Sequence, residues 1–183
     1  MTRSAALDAA LGVFTSELAR WGARMNLVGS TEPDAISRHV EDSLAAVAHL
    51  PPNVSVVDLG SGAGFPGIPI ALARPDLKVT LVEIREKRLA FLRHVARELS
   101  LSIEIRSASI EVPRPAEFAI ALLRAVAKPE RSLEIGLPWV TPAGEVWIWS
   151  GPTAAISPSL SIPLSSGGRI LRLRAADFSR GTD

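Results

Sequence analysis

The sequence predicts an α/β fold with a doubly wound, mostly parallel sheet. Three observations carry this: short β-branched runs alternate with helical apolar patterns after residue 52, a glycine-rich turn closes the first run, and a carboxylate ends the next. Before residue 52 the pattern is helical. Leu7, Leu11, Phe14, Leu18 and Trp21 recur at helical spacing and place a helix over residues 4–24, ending near Gly22. Glu32-Pro33-Asp34 opens a second helix over 35–50, with Pro33 tolerated in the first turn and Pro51-Pro52 as the stop. Residues 1–52 therefore read as an N-terminal helical cap, and 53–183 as a ligand-binding domain forming one compact unit with it.

The alternation then begins. Residues 54–59 and 79–83 are strands joined by a helix over 66–73, which makes one β-α-β unit. A helix over 86–100 presents Leu89, Leu92, Val95, Ala96 and Leu99 on one face, and strands follow at 102–106, 118–123 and 145–149. Residues 133–140 are helical in part. Residues 160–164 and 169–174 form a terminal hairpin across Ser165-Ser166-Gly167-Gly168, with Arg169, Arg172 and Arg174 on an edge strand where charge opposes aggregation.

Composition narrows the function. A chain of 183 residues with 47% hydrophobic residues buries a real core, and the absence of cysteine excludes disulfides, thiolate metal sites and a cysteine nucleophile. The 20 basic residues nearly cancel the 19 acidic ones, so attraction to nucleic acid must come from a local basic face. Residues 1–6 lack a signal-peptide pattern, so a cytoplasmic protein is expected. The uncharged stretch 146–168 is long enough to span a membrane, but Pro152, Pro158, Pro163 and six serines would leave backbone groups unpaired in lipid. The expectation is a monomer with no membrane and no metal.

The turn Asp58-Leu59-Gly60-Ser61-Gly62-Ala63-Gly64-Phe65-Pro66-Gly67 lies between a strand and a helix, where a doubly wound fold binds ligands. Glycine lets the backbone turn tightly and approach a ligand closely. Glu83, nineteen residues beyond Gly64, ends the next strand and can accept hydrogen bonds from both hydroxyls of an adenosine ribose. A dinucleotide fingerprint needs glycine three positions after Gly62, where this chain has Phe65. Asp58 would repel a pyrophosphate and attract a cation. S-Adenosylmethionine, with a sulfonium, an ammonium and no phosphate, fits that pattern.

Asn26-Leu27-Val28, Arg38-His39-Val40-Glu41-Asp42-Ser43, the run Val57 through Gly67-Ile68-Pro69, Lys87-Arg88-Leu89-Ala90-Phe91-Leu92 and Arg124-Ala125 together resemble the small-subunit rRNA guanine-N7 methyltransferases, the RsmG or glucose-inhibited division protein B family. The likeness covers residues 26–127. It implies a class I methyltransferase, Rossmann-like fold and methyl transfer from S-adenosylmethionine to N7 of a guanine in the decoding-region loop of 16S rRNA. It implies 16S rRNA or the small ribosomal subunit as partner. Carried over, Gly60, Phe65, Ser109 and Ile110 line the cofactor site with Gly62 and Gly64, and Glu83 holds the ribose. Arg124, with His39 and Asp42, belongs to the active site, while Arg38, Lys87 and Arg88 face RNA. Two positions depart from the family pattern: Ala108 stands where arginine is usual, and Ser150 where lysine is usual.

Guanine N7 carries a lone pair, so its methylation requires no catalytic base; alignment and electrostatics suffice. Several residues have a structural alternative. Arg124 can pair with Asp58 or Glu83. The face Arg85, Lys87, Arg88, Arg93 and Arg97 is also an ordinary solvated helix surface, and His39 an ordinary surface or capping residue. Trp147 and Trp149 share one side of a strand, where packing under a helix is a commoner fate than base stacking. The competing functions are a methyltransferase with another RNA or small-molecule acceptor, favoured by Ala108 and Ser150, and a non-catalytic cofactor-binding ribosome-assembly protein.

Overall fold

The computed structural model describes residues 3–25, 27, 32–112, 115–154 and 156–178; Asn26 and Val28 of the motif above lie outside these. Five strands run parallel: β1 (Ser55–Leu59), β2 (Lys78–Glu83), β3 (Glu104–Ser107), β4 (Phe118–Arg124) and β5 (Val140–Ser150). With β6 (Leu160–Pro163) and β7 (Arg169–Arg174) they form one sheet in the order β3-β2-β1-β4-β5-β7-β6. The helices are α1 (Ala5–Met25), α2 (Pro33–Leu44), α3 (Gly67–Ala73), α4 (Glu86–Glu98) and α5 (Pro129–Gly136).

Strand alternation sorts the core into two layers. Val56, Leu81, Ile120, Leu122, Trp147 and Trp149 face α1 to α4, where Phe14, Leu18, Ile36, Val40, Ile68, Phe91 and Leu92 meet them. Val57, Leu59, Ala121, Leu123, Val146 and Ile148 face α5 and Trp139. Both tryptophans of β5 are buried, as their expected packing required. Ser4 caps α1 by accepting the Leu7 N–H at 3.2 Å. His94 of α4, 2.6 Å from Glu17 and stacked 5.1 Å from the Trp21 ring, ties that helix to the domain. Burial alone would raise the Glu17 pKa, but His94 and Arg20 hold it below its ordinary value.

Three expectations are corrected. First, β7 is no edge: it lies between β5 and β6 with Ile170, Leu171 and Leu173 buried, and the four-residue β6 takes the rim. Arg172 accordingly pairs with Glu145 across the β5–β7 ladder and sits 4.5 Å from the Trp147 ring centre. Second, α2 stops at Leu44. A short 3-10 turn over Val47–His49 follows it, and Arg74 donates to the carbonyls of Val47, Leu50 and Pro51, tying down the segment that leads to β1. Third, β5 starts at Val140, with an irregularity opposite Phe118 and Ile120.

The chain leaves β1 toward β2 on one side and later enters β4 on the other, so the carboxyl ends of β1 and β4 border a crevice. Among the described residues no helix is long and apolar enough to cross a membrane.

Candidate active site

The glycine turn is built over the end of β2. The N–H groups of Gly60 and Ser61 both donate to the Val82 carbonyl, at 2.9 and 3.0 Å, and the Ser61 hydroxyl donates to the Asp58 carbonyl at 2.9 Å. Gly60 and Gly62 adopt φ of +73° and +57°, the left-handed region that glycine enters without strain. Glu83 lies beneath them, 4% exposed: Oε2 accepts the Gly62 N–H at 3.1 Å, and Oε1 accepts those of Ile84 and Arg85 at 2.8 and 2.9 Å.

Arg124, at the end of β4, closes the other side. Its Nη2 lies 2.7 Å from His39 Nδ1 and 3.2 Å from Asp42 Oδ2; its Nη1 donates to the His39 carbonyl at 3.0 Å and to Ser43 Oγ at 3.3 Å. Arg124 therefore pairs with neither Asp58 nor Glu83: its partners come from α2, which was invisible in the sequence spacing. A guanidinium has no acceptor, so His39 Nδ1 accepts and the neutral ring carries its proton on Nε2. Burial, with Arg124 close by, pulls the His39 pKa below its ordinary value. Burial also lowers the Arg124 pKa, opposed by Asp42 and Asp58. Trp149 fixes the same helix by donating from Nε1 to the Asp42 carbonyl at 2.9 Å.

Between these two constructions is a cavity of about 230 Å³, lined by Leu27, His39, Gly60, Ser61, Gly62, Ala63, Phe65, Arg88, Arg124 and Ala125. The His39 ring is 5.4 Å from that of Phe65, and Phe65 contacts Phe14 edge-on at 5.2 Å, so a core residue of α1 backs the cavity wall. Ala125 holds φ +55°, a strained value for a residue with a Cβ, directly after Arg124.

Not every expected residue lines this cavity. Asp58 is buried under the turn, where Oδ2 accepts the Gly67 N–H that opens α3 at 3.0 Å. Its Oδ1 has no hydrogen-bond partner among the described residues, and burial pushes its pKa up to about 7. Gly64 serves packing, since a Cβ there would meet the Ile68 side chain at 2.5 Å. Ser109 accepts the Glu111 N–H, and Ile110 lines a neighbouring cavity of about 190 Å³ with Trp139 and Arg131, although its Cδ1 is 3.7 Å from where a Gly60 Cβ would stand. Arg38 and Lys87 are exposed, whereas Arg88 turns inward onto Glu83.

The family model described as GidB, rRNA small subunit methyltransferase G, matches residues 8–157. The chain belongs to this family. It is 38% identical over 135 residues to the ribosomal RNA small subunit methyltransferase G of Hyphomonas neptunium, covering 69% of this chain and 65% of that protein. It is 33% identical over 175 residues to the Anaeromyxobacter protein of the same name, covering 91% and 78%. The chain spans little more than half the length of several other relatives it matches. Among solved structures, an RNA methyltransferase from Salinibacter ruber in complex with S-adenosyl-L-homocysteine superposes with a TM-score of 0.59 at 20% identity, over 80% of this chain and 92% of that one. This likeness confirms the class I methyltransferase fold. The family match runs from α1 through β5 and leaves β6 and β7 beyond it.

Leu27 and Ala125, which line the cavity, and Ser43 and Trp149, which support α2 beside it, had no expected role at the site. Ser43 and Ala125 stood inside the quoted motifs, but nothing in the sequence gave them a task. Trp149 carried the alternatives of core packing and base stacking, neither of which includes its hydrogen bond to the Asp42 carbonyl.

Proposed function

We propose that the chain is an S-adenosylmethionine-dependent methyltransferase acting on N7 of a guanine in the decoding-region loop of 16S rRNA. The observation that carries this reading is the cavity at the carboxyl ends of β1 and β4, with Glu83 under Gly62 and Arg124 facing the glycine turn. Membership in the rRNA small subunit methyltransferase G family supports the choice of acceptor.

The residues present fit the cofactor. Gly60 and Gly62 expose backbone where a side chain would intrude, Glu83 supplies an acidic acceptor for a ribose hydroxyl, and Ile110, behind Gly60, supplies an apolar surface for the adenine. When bound, S-adenosylmethionine supplies a sulfonium methyl, an electrophile needing no activation. Phe65 and His39 wall the side where a planar base can lie, and Arg124 contributes a fixed positive charge suited to the methionine carboxylate or an RNA phosphate. A guanine N7 held there would bring its own lone pair, so no residue of the site would have to remove a proton. His39 therefore needs no role as a base, and its neutral state is compatible with a cationic product. Asp42 balances Arg124 from the far side and is a positioning residue.

Exposed Arg38 and Lys87 supply the RNA-facing charge. A second reading, transfer to another acceptor, draws on Ala108 and Ser150: Ala108 is buried, with its N–H on the Glu83 carbonyl, and Ser150 pairs with Arg169 across the ladder, so neither adds positive charge. Nucleoside analysis of 16S rRNA from a strain lacking the gene separates the two. Loss of one 7-methylguanosine supports the rRNA reading; an unchanged 7-methylguanosine content sinks it.

A further inference from the structure

Glu83 is a fully engaged acceptor. A carboxylate offers about four lone-pair positions. Two are taken on Oε1 by the N–H groups of Ile84 and Arg85, and one on Oε2 by that of Gly62. The fourth, also on Oε2, is held by Nη1 of Arg88 at 3.4 Å. Any further donor must displace one of these.

The four are unequal. Ile84 and Arg85 directly follow Glu83, and Gly62 belongs to a turn anchored on Val82, so those backbone donors move only if the site itself unfolds. Arg88 is the one side chain among them, its contact is the longest, and it is 29% exposed against 5% for the Glu83 side chain. It also lines the cavity, with Nη1 3.6 Å from where a Gly62 Cβ would stand. The family resemblance implies an RNA contact for Arg88; the side chain lies on the acceptor proposed for the ribose.

We propose that Arg88 is an exchangeable counter-ion, which yields its position on Glu83 to a ribose hydroxyl of the cofactor and is thereby released to RNA phosphate. This rests on the reading of Glu83 as the ribose acceptor. One hydroxyl takes the vacated position, so Glu83 holds one replaceable site and not the two expected from sequence. The released guanidinium joins the exposed Arg85 and Lys87 at the start of α4, raising local positive charge where a phosphate can approach. Cofactor and RNA then strengthen one another's binding, and by linkage the effect is reciprocal.

The test uses the full chain and Arg88→Gln, with S-adenosylhomocysteine titrated calorimetrically and a 16S rRNA transcript bound at fixed salt with and without it. The unaltered protein should bind the transcript about fivefold more tightly when S-adenosylhomocysteine is present. R88Q has no counter-ion to displace, so it should bind S-adenosylhomocysteine about two- to fivefold more tightly, and its RNA affinity should no longer respond to it. A damaged fold would loosen binding, so tightening is a readout that structural loss cannot mimic. Weaker or unchanged S-adenosylhomocysteine binding by R88Q, a persisting RNA response in R88Q, or no response in the unaltered protein overturns the exchange. If the unaltered protein binds no S-adenosylhomocysteine, the cofactor reading falls and this inference with it.

Discussion

Arg124 and Asp42, 82 positions apart in the chain, meet at 3.2 Å between Nη2 and Oδ2, with side chains only 14% and 7% exposed. This contact ties the end of β4 to the helical cap, so the cap is part of the site wall and not an appendage to it.

Arg124→Gln should therefore cost stability as well as activity. It leaves the Asp42 carboxylate buried without its cation, and loss of one partner of such a pair costs about 3–5 kcal/mol. Urea unfolding should show that loss, and the double variant R124Q/D42N should recover part of it because both charges are gone. Equal stability of R124Q and the unaltered protein would show that the pair does not hold the cap.

Asp58 gives a pH dependence of defined sign. Burial raises its folded pKa to about 7 from an ordinary 3.8. Its contribution is thus full below about pH 4 and is lost as pH rises to about 7, because over that window the folded state binds a proton that the unfolded state has released. Asp58→Asn keeps the shape and cannot titrate. Its unfolding free energy relative to the unaltered protein should rise between pH 5 and pH 7.5; a constant difference would contradict the assignment.

His39 should titrate below its ordinary value of 6.5, since burial and Arg124 both disfavour the imidazolium. The folded state then resists protonation, so this group's contribution is present above about pH 6.5 and declines as pH falls. Ring-proton NMR should place the midpoint below 6.5 and move it upward in R124Q. A midpoint unaffected by R124Q would contradict the contact at Nδ1.

The glycines of the turn should separate by function. Gly64→Ala meets Ile68 and also occupies φ +91°, so it should lower stability by about 2 kcal/mol or more. Gly62→Ala finds no neighbour closer than 3.6 Å and bears mainly the left-handed penalty of about 1–2 kcal/mol, while placing a methyl group in the cavity. Thermal unfolding and S-adenosylhomocysteine titration should therefore rank G64A as the more unstable protein and G62A as a weak binder that still folds.

The sheet and its glycine turn were legible because both depend on local pattern: β-branched runs such as Val54 to Val57, a helical face on α4, and Glu83 at a strand end. Helix and strand limits shifted where a distant side chain intervened, as Arg74 did for the carbonyls after α2. The place of β7 followed from burial on both faces, which a six-residue strand with three arginines does not advertise. For the candidate site, spacing points to Glu83 and the family motifs point to Arg124 and His39. The direction of Asp58, the inward turn of Arg88 and the Arg124–Asp42 pair are facts of packing between elements far apart in the chain, and no local period encodes them.

Methyl transfer to guanine N7 is tested most directly by incubating the purified protein with methyl-labelled S-adenosylmethionine and small ribosomal subunits from a strain lacking the gene, then digesting the 16S rRNA. Label should appear in 7-methylguanosine at a single position and be abolished or greatly reduced in R124Q. Label in another nucleoside, or no label from a protein that demonstrably binds the cofactor, would contradict it.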